Sequence, residues 1–105
     1  MRTIYKYELK LQDINVVDMP AGAQTFSFQN QYEKPVLYAV VDTDNPPKLR
    51  TFRLAGTGHD IDAYHDGDLE PIGTAMFQGG ALVMHLFEVK ELWPLSPRKL
   101  CINSE

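Results

Sequence analysis

The chain has 105 residues, 44% hydrophobic and 23% charged, with a formal net charge of −4, a balance that suits one globular domain and is too apolar for intrinsic disorder. Its ten basic side chains are scattered and form no run, so the positive stripe that a phosphate backbone demands is missing and nucleic acid is not an expected partner. A lone cysteine, Cys101, rules out an intrachain disulfide, Met1–Lys6 lacks the apolar core of a signal peptide, and the longest uncharged apolar run, Val36–Val41, is far short of the roughly 20 residues that cross a bilayer, so a cytoplasmic protein without a membrane partner is expected.

From Thr3 to Gln12 the residues alternate, with Thr3, Tyr5, Tyr7, Leu9 and Leu11 on one face and Lys6, Glu8, Lys10 and Gln12 on the other, which reads as a half-buried strand. Ile14–Met19 is β-branched enough for a second strand, ended by Pro20-Ala21-Gly22. Gln24–Gln31 alternates around Phe26 and Phe28 until Glu33-Lys34-Pro35 interrupts it. Val36–Val41 is continuously apolar, as in a strand covered on both faces, and is expected at the centre of the core. After the turn-forming Asp42–Pro47, a fifth strand over Lys48–Ala55 places Arg50, Phe52 and Leu54 on one side and Leu49, Thr51 and Arg53 on the other, so that one arginine must sit at a rim.

Gly56–Glu70, with three glycines and five acidic residues, reads as the longest exposed loop. Two more strands, near Pro71–Gln78 and Ala81–Val89, flank Gly79-Gly80, a dipeptide that accepts the positive φ of a tight hairpin. Beyond Lys90 the prolines of Trp93-Pro94-Leu95-Ser96-Pro97 exclude a helix, leaving residues 91–105 as an extended or disordered tail after a single β domain over residues 1–90. About seven short strands without an amphipathic helix predict an all-β fold, a small antiparallel β-sandwich or partly open barrel.

Few residues suggest chemistry. Gly56-Thr57-Gly58-His59 is a glycine-rich turn whose backbone N–H groups could hold an anion, with Arg50 or Arg53 to neutralise a phosphate. It lacks the third glycine and following helix of a dinucleotide site and the lysine of a P-loop, so a strand-ending turn is the simpler reading. Around it, His59, Asp60, Asp62, His65, Asp66, Asp68 and Glu70 crowd one loop. His59, His65, Asp62 and Asp66 are the weak metal candidates, in a spacing that fits no EF-hand or zinc template. His85, in phase with Val83 and Phe87, is a buried base or a hydrogen-bonded structural histidine. Cys101 lies beside Leu100 and Ile102 in the tail without a base. The Pro94–Pro97 spacing matches a polyproline ligand, although Trp93 packed over the domain edge explains the segment as simply. No catalytic residue and no cofactor are expected.

Several segments together resemble a family of small, functionally uncharacterised phage and prophage proteins: Ile4-Tyr5-Lys6-Tyr7-Glu8-Leu9, Met19-Pro20-Ala21-Gly22-Ala23, Val36–Asp42, Gly56-Thr57-Gly58-His59, Ile72-Gly73-Thr74 and Gly80–Glu88. The resemblance spans roughly residues 3–88; members often carry tryptophan where this chain has Tyr5 and Tyr38. It implies a viral accessory protein in the host cytoplasm, a non-catalytic binding module that blocks a host protein such as a defence component. A second reading is an oligomeric nucleotide trap that uses Gly56, Thr57 and Gly58 with Arg50 or Arg53. A third is a metal-dependent hydrolase, for which His59, His65 and the nearby acids would have to converge. Exposed sheet edges leave a homo-oligomer open.

Overall fold

A computed structural model describes residues 1–64 and 67–90 of the chain. Seven strands form: β1 (Arg2–Glu8), β2 (Ile14–Pro20), β3 (Gln24–Gln31), β4 (Lys34–Asp42), β5 (Pro47–Gly56), β6 (Leu69–Phe77) and β7 (Leu82–Val89). They make two antiparallel sheets, one in the order β1-β4-β3 and the other β2-β5-β7-β6, stacked as a sandwich and not closed into a barrel. The all-β sandwich expected from alternation is the fold observed.

The core lies between the sheets. Leu37, Ala39 and Val41 of β4 face Phe52 and Leu54 of β5, with Met19, Phe28, Phe77, Met84 and Leu86 filling the layer. The centre of the first sheet is β4, as its continuous apolar run predicts, and Val36, next to Leu37, is also shielded at 1% exposure. Burying such a side chain stabilises the fold by about 1.5–3 kcal/mol, enough for alternation to fix which face of each strand points inward.

The first strand is shorter than its sequence period suggests. Leu9 N–H donates to the Pro35 carbonyl, the last bond along β4, and the chain then swings toward the second sheet. Asn15 holds this corner: its Oδ1 accepts from Lys10 N–H at 2.9 Å and its Nδ2 donates to the Lys10 carbonyl at 3.0 Å. A buried amide thus replaces the strand partner that residues 9–12 lose.

Because β5 and β6 each run antiparallel to β7, they run parallel to one another with β7 between them. The β5–β6 connection must therefore return along the length of the sheet. Near its start the Asp60 carbonyl accepts from Arg53, and at its end the Asp68 carbonyl accepts from Lys90 N–H, one step beyond the Leu69–Val89 pair of the β6–β7 ladder. The β6–β7 hairpin closes through a 3-10 turn at Gln78–Gly80, where Gly79 and Gly80 have φ of 66° and 96°. On the β3/β6 side the sheets approach closely, and a Cβ on Gly73 would come within 3.3 Å of the Phe28 Cβ. The tail expected over residues 91–105 lies outside the described residues. Among those described, no helix is long and apolar enough to cross a membrane.

Candidate functional site

The Gly-Thr-Gly-His segment leaves the end of β5 as a tight turn closed by His59 N–H donating to the Gly56 carbonyl at 3.0 Å. Gly58 takes φ +87°, a conformation that glycine enters without steric cost. The His59 ring folds back over Gly56, whose N–H donates to Nδ1 at 3.0 Å. A Cβ on Gly56 would lie 2.8 Å from the His59 Cε1, so the ring takes the space a side chain would need. Thr57 N–H donates to the Val83 carbonyl and pins the turn to β7.

This turn also reaches His85. On the outward face of β7, His85 sits opposite Ala55 of β5 and Thr74 of β6. Its Nε2 lies 2.7 Å from Thr57 Oγ1 and its Nδ1 lies 2.8 Å from Thr74 Oγ1. Both ring nitrogens are engaged by hydroxyl groups. His85 is thus not the buried base considered from the sequence but a partly exposed clamp joining the turn to β6. Thr74 escaped the reading by chemistry because only the β6–β7 register brings it to the ring.

The two arginines lie apart from each other, and only Arg53 comes near this turn, its Nη2 donating to the Asp60 carbonyl next to His59 at 3.4 Å. Arg50 points into the rim between the sheets, near the start of β5. Its Nε and Nη2 each donate to Glu88 at 2.7 Å, and its Nη1 to the Ala23 carbonyl. With side-chain exposures of 16% and 18% the pair is largely out of water, and the Glu88 hydrogen bonds hold the guanidinium in its charged form. The pair borders a cleft of about 270 Å³ with Gly22, Lys48, Thr51 and Val89. Arg53 lies on the opposite face, buried under the β5–β6 connection, with Nη1 3.0 Å from Asp13 and also donating to the Leu54 carbonyl. Both guanidiniums are already bonded within the fold. Of the metal candidates, His65 and Asp66 lie outside the described residues, and His59 and Asp62 join no cluster of three or more ligating side chains among those described.

A different turn carries features that the sequence did not announce. Tyr32 and Glu33 alone connect β3 to β4, across the Gln31–Lys34 pair. Both have positive φ, 54° and 65°, although neither is glycine or asparagine. Two-residue hairpins with positive φ at both positions normally carry Asn-Gly, and a larger side chain costs about 1–2 kcal/mol per residue. The turn is held by its surroundings. Glu33 N–H donates to Asn30 Oδ1 at 2.8 Å, while the Glu33 carboxylate accepts from Asn30 Nδ2 at 2.9 Å and from Gln78 N–H at 2.7 Å. Asn30 Nδ2 also donates to the Met76 carbonyl at 2.7 Å, tying the tip to the neighbouring sheet. These bonds, Asn30 first, draw the Glu33 carboxyl below its usual pKa. At the apex, Tyr32 is 91% exposed, the most exposed of the large hydrophobic side chains described.

A family model for a domain of unknown function, DUF7352, matches residues 1–94, and the chain belongs to that family. No curated protein and no solved structure matches it.

Proposed function

We propose that this family member is a small phage-type accessory protein of the host cytoplasm, a non-catalytic binding module that docks on a host protein and antagonises it, with a defence component as the fitting class of target. The observation that carries this reading is Tyr32, displayed at 91% exposure on a turn whose two positive-φ residues oppose stability. Strain concentrates where a surface has a task besides folding, and tyrosine is among the residues that most often anchor protein interfaces. Further support comes from the arginines, whose guanidiniums are bonded within the fold to Glu88 and to Asp13.

Affinity capture from host lysate, comparing the wild-type chain with Tyr32→Ala, tests the reading. A specific host protein is expected with the wild type and is expected to be lost with the variant. Capture of nothing above background, or equal capture by both, would count against it.

A further inference from the structure

The four edge strands differ in how well they resist pairing with another chain. β3 is interrupted by a bulge between Thr25 and Ser27, and β6 by one between Pro71 and Gly73 with the proline itself in the strand. β2 ends in Pro20 and exposes Asp18. Only β1 is regular throughout, with seven consecutive residues in unbroken register with β4 and no proline or bulge. Its other edge has no strand beside it among the described residues. Bulges, prolines and charges are the usual guards of a sheet edge. The central charge of β1, Lys6, is drawn away from that edge, since its Nζ donates to Gln31 Oε1 across β4 at 2.9 Å.

The order of side chains along β1 says what can pair there. A second copy meeting β1 about a two-fold axis must pair antiparallel and match inward residues with inward and outward with outward, so the axis passes through a residue position. With the axis at Ile4, Arg2 meets Lys6 of the second copy, twice over. With the axis at Lys6, the two lysines oppose each other directly. With the axis at Tyr5, Arg2 meets Glu8, Ile4 meets Lys6, Thr3 meets Tyr7, and Tyr5 meets itself. This register alone, among those pairing at least five residues, sets no like charges opposite one another, and it adds two opposite-charge pairs. It also brings together two exposed apolar side chains from each copy, Ile4 at 58% and Tyr5 at 41% exposure.

We propose that the protein forms a two-fold dimer through antiparallel pairing of β1 with β1 of a second copy, centred on Tyr5, to give a continuous six-stranded sheet. The inference is independent of any host partner. Sedimentation velocity of the full chain over a concentration series tests it. Wild type is expected to dimerise. Arg2→Glu and Glu8→Arg alone each turn both end pairs into like-charge pairs, and each is expected to raise the dimer Kd by roughly tenfold or more. The double variant restores opposite charges and is expected to dimerise again. Tyr5→Cys is expected to give a disulfide-linked dimer in a Cys101→Ser background, because the two Cβ atoms then face each other across the axis. A wild type that stays monomeric, a dimer indifferent to the single reversals, or a double variant that fails to recover while keeping wild-type circular dichroism would overturn the proposal.

Discussion

Two turns set the Gly-Thr-Gly-His corner against the Tyr32-Glu33 tip. At the corner every unusual residue has a use within the fold: Gly58 takes the positive φ, Gly56 makes room for the His59 ring, and Thr57 reaches His85. At the tip the residue choice opposes the backbone, and the most exposed aromatic side chain described stands on it. A glycine-rich motif that satisfies its own geometry thus asks for no ligand, whereas a bulky pair forced into the left-handed region does ask for a reason. The same positive φ is met by glycine in one place and, in the other, by the residue that the proposed function uses as its anchor.

The sharpest way to break this contrast is to truncate each turn and measure binding to the captured host protein. Tyr32→Ala is expected to cost about 2 kcal/mol or more, roughly thirtyfold in Kd, while His59→Ala leaves binding unchanged, as calorimetry would show. Stability is expected to follow the opposite pattern. Gly58→Ala has open space for its methyl and so isolates the cost of φ +87°, about 1–2 kcal/mol in urea denaturation. Tyr32→Asn is expected to raise stability by about 0.5–1 kcal/mol even as it removes the proposed anchor, because asparagine tolerates the left-handed conformation. A Tyr32→Asn variant that is less stable than wild type would show that the tip, too, is built for folding.

The smallest effect concerns pH. The Glu33 carboxyl is held below its ordinary value of 4.5, by Asn30 and then by Gln78 N–H. A depressed carboxyl contributes stability that is fully present above its unfolded pKa and is lost as the pH falls through the lower folded one. Melting temperatures measured from pH 6 down to about pH 2 are expected to decline more for wild type than for Glu33→Gln, with the gap opening below about pH 4.5.

Much of the architecture was legible in the sequence because alternation reports burial directly. Val36–Val41 announced the middle of a sheet, and Gly79-Gly80 announced the last hairpin. The fate of the arginines was not legible, since Arg53 is held by Asp13 of the β1–β2 connection and by the Asp60 carbonyl of the β5–β6 connection, contacts that depend on how the connections run over the sheet. Nor could residue types place Thr74 against His85, which depends on register. The Tyr32-Glu33 turn was hidden for another reason: a two-residue gap without glycine or asparagine carries no turn signature, and the sign of φ was imposed by the hairpin and by Asn30.

The place of β7 in the second sheet has a consequence for how the chain is made. During synthesis β2, β5 and β6 emerge first, yet nothing joins β5 to β6 until the segment ending at Val89 takes its place between them. Until then one side of β5 presents unpaired N–H and C=O groups beside the apolar Phe52 and Leu54. A ribosome-bound chain stopped before residue 82 would thus hold half a sandwich with its seam open, and the last strand delivered works as a keystone.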